Sequence, residues 1–123
     1  MKKNSIISSF KNAFMGIRQI ARIERNFKIE LLMGVIAILL CAILNVSKME
    51  WVLVLLCSMA VLSMECMNTA LEKVVDLVSP EWHELARKGK DFAAGAVLLT
   101  AIFSAIIGMI IFLPYINEIV GLV

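Results

Sequence analysis

The sequence predicts an all-α integral membrane protein: an N-terminal amphipathic surface helix followed by three transmembrane helices. Composition is the first reason. Of 123 residues, 61% are apolar and 18% charged, and the mean hydropathy is strongly positive, which leaves no room for a soluble catalytic domain. The apolar residues also gather into three runs long enough to cross a bilayer. Finally, basic residues are unevenly placed. Lys2, Lys3, Lys11, Arg18, Arg22, Arg25 and Lys28 precede the first run, Lys73, Arg87, Lys88 and Lys90 lie between the second and third, and only Lys48 lies elsewhere. Lys and Arg accumulate in cytoplasmic segments. The N-terminus and residues 71–91 are therefore expected inside, and the 48–50 turn and the C-terminus outside, in a multi-pass protein of the plasma (inner) membrane.

Residues 5–28 read as one amphipathic helix. Ile6, Phe10, Ala13, Phe14, Ile17, Ile20 and Ala21 recur at three- and four-residue spacing, while Lys11, Arg18, Gln19, Arg22 and Arg25 take much of the remaining surface. Such a helix is too polar to span, and its basic face suits an anionic leaflet, so it should lie along the interface. Packing on the rest of the protein is the alternative. No apolar core with a small-residue cleavage site precedes residue 29, so no cleaved signal peptide is expected.

The first span is expected over 31–47, near the lower length limit for ~30 Å of hydrocarbon. Asn45, Ser47, Lys48 and Glu50 supply a tight polar turn. The second span runs over 51–70, from the interfacial aromatic Trp51, and continues as a helix into the cytoplasm. Within 79–91, the only long polar stretch after the N-terminus, Pro80 is placed to open a new helical segment after Ser79. The third span, 92–113, begins with the small-residue stretch Phe92-Ala-Ala-Gly-Ala96 and ends at Pro114. Cys41, Cys57 and Cys66 all fall in apolar helices without a CxxC or a nearby His, and read as packing residues rather than disulfide or zinc ligands.

The chemistry concentrates in Glu65–Asp76. At about 100° per residue, Glu65, Asn68, Glu72 and Asp76 share one narrow stripe of the second spanning helix. An ionisable group in such a helix costs roughly 2.5–3.5 kcal/mol, so a row of them must face protein, water, metal or substrate. There is no GxxxxGK[ST] loop, GxGxxG turn, GxSxG elbow or HExxH pair, so any nucleotide has to be held by side chains and a metal. Glu72 and Glu24 are the metal-ligand candidates, since they lie on two different elements that both reach the cytoplasmic interface. Magnesium, which takes one or two carboxylates together with substrate phosphates, fits so sparse a set. An ion pair with Lys28 is the alternative for Glu24. Glu65 lies deeper and can accept a proton from an alcohol held at the membrane surface, the alternative being a protonated acid bonded between helices. Lys90 can meet phosphate as a point charge and Asp91 a metal or a ribose hydroxyl, unless the loop cations only set topology. His83, the single histidine, reads as a solvated loop residue before it reads as a catalyst.

These motifs together resemble the prokaryotic diacylglycerol kinase family, and especially its Gram-positive branch of undecaprenol kinases. The resemblance covers Ser9-Phe10 through Gly16-Ile17, ARIERNF at 21–27, ExxNTAxExxxD at 65–76, KGKDFAAGAVLL at 88–99 and IIGMIIFLP at 106–114. It implies a homotrimer with three spans and a surface helix, which transfers the γ-phosphate of ATP to a lipid alcohol using Mg2+. Undecaprenol is the expected acceptor and diacylglycerol the alternative. Carried onto matching positions, it implies Glu65 as general base, Asn68 as a polar anchor, Glu24 and Glu72 as metal ligands that also contact nucleotide, and Lys90 and Asp91 on the nucleotide with Glu81 and His83. The expected partners are ATP, a lipid alcohol, the bilayer and further copies of the chain, with no nucleic acid. A small proton-coupled transporter is the rival from another class, but the outer halves of the spans carry almost no charge. A non-catalytic scaffold is a third reading.

Overall fold

In a computed structural model, which describes residues 5–121, the chain forms α1 (Ile6–Ile23), α2 (Arg25–Leu44), α3 (Lys48–Val78) and α4 (Glu84–Val120). Lys2 and Lys3, counted above, lie outside the described residues. Three helices, α2 to α4, are long and apolar enough to cross a membrane. This is the all-helical, three-span architecture that the sequence predicts.

Ser5 caps α1, its side chain accepting from the Ser8 N–H at 3.3 Å. The apolar face of α1 is uncovered by protein: Ile6 and Phe14 are 77% and 69% exposed, and only Ile20 is buried. A face of that kind is satisfied by the bilayer surface. The helix expected over 5–28 is in fact two. Glu24 takes an extended conformation (φ −92°, ψ 120°), its N–H donating to the Ile20 carbonyl at 2.9 Å, and residues 25–30 already belong to α2. Neither Pro nor Gly marks the break. One extended residue separates the two helices.

The twenty residues of α2 span about 30 Å. Asn45 ends the helix in the left-handed conformation (φ 55°), which Asn tolerates, so Asn45–Ser47 form the turn instead of the end of the span. Ser47 and Glu50 then make a reciprocal cap on α3: the Glu50 N–H donates to Ser47 Oγ at 3.3 Å, and the Ser47 N–H to Glu50 Oε2 at 2.7 Å. From there α3 runs unbroken for 31 residues, about 46 Å.

Pro80 does not open a helix. Residues 79–83 are non-helical, held by Ser79 Oγ donating to the Glu81 carbonyl at 3.1 Å. The cap of α4 is His83, whose Nδ1 accepts the Leu85 N–H at 3.1 Å, so the helix starts where an acceptor for its free amides is available. At the far end α4 does not stop at Pro114 but continues to Val120, ending at Gly121 with φ 70°. The proline forfeits one backbone hydrogen bond. One turn of the chain is nevertheless anchored, because the Tyr115 hydroxyl donates to Glu50 Oε2 at 2.7 Å. Tyr115→Phe is expected to lower the thermal unfolding midpoint in detergent without altering helical content, since the bond joins two helices near the 45–47 turn. An unchanged midpoint would assign the clasp no role in stability.

The middle element is α3, which packs along α4 and α2 while α2 and α4 barely meet. Next to the 45–47 turn, Cys41, Val46, Val54 and Ile111 form a small buried core, with Trp51, Phe112 and Tyr115 packed on it. Elsewhere large apolar side chains remain exposed, as lipid-facing helices require.

Candidate active site

One face of α3 carries both the packing and the polar groups. Its buried residues, Val54, Val61, Glu65 and Thr69, lie within a band of about 80° when projected down the axis, and Asn68, Glu72 and Asp76 prolong the same band. The face is therefore apolar toward the 45–47 turn and acidic toward the 79–83 connection. Glu65 marks the change and is only 2% exposed, the most deeply buried carboxylate in the described chain.

Glu65 is in electrostatic reach of Glu24 on one side and Glu72 on the other. Glu24 is the single extended residue between α1 and α2. No ion pair joins Glu24 to Lys28 among the described residues, so the alternative raised for Glu24 is not realised. Asn68 Nδ2 donates to Glu72 Oε1 at 3.4 Å, one turn along α3, while Asn68 Oδ1 is buried without a partner. Four of the residues singled out from sequence, Glu24, Glu65, Asn68 and Glu72, thus share one neighbourhood.

A further carboxylate joins them. Glu30 on α2 repels Glu65, and its Oε2 is buried with no hydrogen-bond partner. Little in the sequence points to it: a surface helix over 5–28 and a span from Leu31 leave Glu30 in the gap between elements. The break at Glu24 moves it onto a spanning helix, and its place six residues after Glu24 at the edge of an apolar run was the available signal. Buried polar atoms without partners are uncommon in native proteins. Here both of them, Glu30 Oε2 and Asn68 Oδ1, flank the acidic group.

Lys90 lies at the edge of this group, within electrostatic reach of Glu72, while Asp91, Glu81 and His83 stand apart from it. Lys90 donates to Asp76 Oδ1 at 2.5 Å, which ties the start of α4 to the end of the stripe. Asp91 pairs with Arg87 at 3.2 Å along its own helix and Lys88 with Glu84 at 2.7 Å, all exposed and of small energetic weight. Exposed Glu81 lends its carbonyl to Ser79, and His83 is occupied as the α4 cap. No hydrogen bond or ion pair links Asp91, Glu81 or His83 to Glu65 among the described residues.

As a donor set the group is all oxygen. No cluster of three His, Cys, Asp or Glu poised to hold a metal occurs among the described residues. Two carboxylates on separate elements, with an unpartnered carboxamide oxygen beside them, suit a hard cation that keeps most of its coordination for water and phosphate.

Residues 11–112 match the family described as prokaryotic diacylglycerol kinase. The chain belongs to that family. It is 43% identical over 112 residues to the undecaprenol kinase of Bacillus subtilis (strain 168), covering 90% of each chain. It is 40% identical over 111 residues to a diacylglycerol kinase of Synechocystis, covering 89% of this chain and 63% of the relative. To the diacylglycerol kinase of Escherichia coli (strain K12) it is 32% identical over 101 residues, covering 82% and 83%. Family membership makes this multi-pass membrane protein an enzyme, a lipid kinase, and the region matched includes both the acidic face of α3 and the start of α4.

Proposed function

We propose that the protein transfers the γ-phosphate of ATP to the hydroxyl of undecaprenol, giving undecaprenyl phosphate, at a site on the cytoplasmic side of the plasma membrane. The observation that carries this reading is the burial of Glu65 at the junction between the apolar and acidic halves of one helix face. An oily alcohol and a water-borne triphosphate can meet there and almost nowhere else on the chain.

In this mechanism the Glu65 carboxylate takes the proton of the lipid hydroxyl as the hydroxyl oxygen bonds to the γ-phosphorus and the bond from that phosphorus to the ADP oxygen breaks. Asn68, anchored on Glu72, offers its free carboxamide oxygen to orient a donor at the reacting centre. Glu24 and Glu72 would hold Mg2+ beside the phosphates. When bound, that ion neutralises charge on the phosphate oxygens. Lys90 exchanges its bond to Asp76 for a phosphate contact, and Asp91, with Glu81 and His83, sits at the nucleotide. Three spans leave wide apolar faces uncovered, and a homotrimer buries part of them, with a neighbouring copy free to complete the site.

Diacylglycerol, converted to phosphatidic acid, is the second reading, favoured by the relatives named diacylglycerol kinases. Purified protein in mixed micelles with Mg-ATP is expected to phosphorylate undecaprenol. Failure to phosphorylate any lipid alcohol would refute the proposed function.

A further inference from the structure

Because α2 and α4 both pack on α3 but barely touch each other, a slot remains between them. It forms a cavity of about 410 Å³ whose floor is α3 and whose walls are narrowed by small residues: Gly34 on α2, Ser58 on α3, and Ala101, Ser104, Ala105 and Gly108 on α4. Gly34 and Ser58 face each other so closely that a Cβ on Gly34 would stand 3.5 Å from Ser58 Oγ. At one end the lining includes Glu30, the carboxylate with the unpartnered buried oxygen beside Glu65. At the other end Val54 and Phe112, members of the core by the 45–47 turn, close it.

Length and bore limit what can enter. From Glu30 to Leu40 the α2 wall runs about 15 Å, half the length of α2, so the slot reaches from the acidic group to about 6 Å short of the end of that helix at the 45–47 turn. Spread over that length, 410 Å³ corresponds to a groove of about 27 Å² in section, or roughly 6 Å across, open along one side. A transmembrane helix is about 10 Å wide even when slender and can cover this slot but not enter it. A single hydrocarbon chain can, whereas two chains side by side, at carbon contacts of about 4 Å, need nearly double the section.

We propose that the slot between α2 and α4 holds the first part of one linear hydrocarbon chain of the acceptor, with the hydroxyl at Glu30 and Glu65, and that its bore selects single-chain alcohols over two-chain ones. This rests on the lipid kinase reading and adds the basis of acceptor choice. A polyprenol threads its only chain along the slot. A diacylglycerol has a second chain branching beside the hydroxyl, and that chain has to lie outside the slot, along its open side.

The test measures transfer in mixed micelles with Mg-ATP to undecaprenol, to diacylglycerol and to a prenol of two isoprene units too short to fill the slot. The parent protein is expected to favour undecaprenol over diacylglycerol by at least about tenfold in kcat/KM, the scale on which apolar pockets discriminate. Ser104→Leu, which fills the slot from α4, is expected to lower the ratio of kcat/KM for undecaprenol to that for the short prenol by about tenfold or more. Gly34→Ala, whose methyl meets Ser58 at an ordinary contact distance and so leaves the fold intact, is expected to lower the same ratio by a smaller factor. A parent without preference for the single-chain acceptor, or variants that keep the parent ratio, would overturn the proposal while leaving the kinase standing. A changed oligomer on size exclusion with an unchanged ratio would overturn it too, marking the slot as a contact between copies. A parent inactive on all three acceptors would take the kinase reading down with it.

Discussion

Glu65→Gln is expected to lower kcat for lipid phosphorylation by about 10²–10⁴, the range attributed to a positioned general base. The carboxamide keeps the size and most of the packing of the carboxylate at a position only 2% exposed, so helicity and assembly in detergent should match the parent. KM for ATP should change little, because Glu65 is assigned to the hydroxyl and not to the phosphates. Transfer of labelled phosphate from ATP to undecaprenol, measured beside circular dichroism, separates the two effects. Retention of more than about a tenth of the parent rate would remove Glu65 from the role of base.

Glu24→Gln and Glu72→Gln are each expected to move the half-activating Mg2+ concentration upward, by about 10–100-fold, as loss of groups supporting a metal site generally does. Glu72→Gln carries a second consequence, since Asn68 then loses the charge of its acceptor at 3.4 Å. The two residues sit on separate elements but would share one ion, so the double variant should fall short of the product of the single effects. Removal of Mg2+ by a chelator should abolish transfer in the parent and its return should restore it. Single variants with the parent's Mg2+ dependence would sever these carboxylates from the metal.

The architecture was legible because each of its determinants is local. Apolar runs of sufficient length, a Trp at one interface, and Lys and Arg that, all but Lys48, fall in two segments specify three spans and a surface helix without reference to any long-range contact. The acidic stripe was legible for the same reason: Glu65, Asn68, Glu72 and Asp76 lie on one uninterrupted helix, where spacing is geometry. What escaped was set by contacts between elements. The break at Glu24 is a single extended residue with no Pro or Gly to announce it, and the placement of Glu30 depends on it. Pro80 and Pro114 were both read as punctuation. Yet His83 caps α4 three residues beyond Pro80, and α4 passes straight through Pro114, held past it by the Tyr115 to Glu50 bond, a pairing across 65 positions. Asp76 was visible on the stripe, but its partner Lys90 comes from another helix.

That α3 crosses from hydrocarbon to water as one rod has a consequence for how the chain can vary. Between Glu65 and Asp76 the distance is about 16 Å along the axis, fixed by helical pitch and not by any hinge. The register of this face works like a ruler graduated in residues: exchanging a side chain alters one mark, but inserting a single residue between Asn68 and Glu72 would swing every later mark by about 100°. Such a ruler accepts edits of spelling and rejects edits of length.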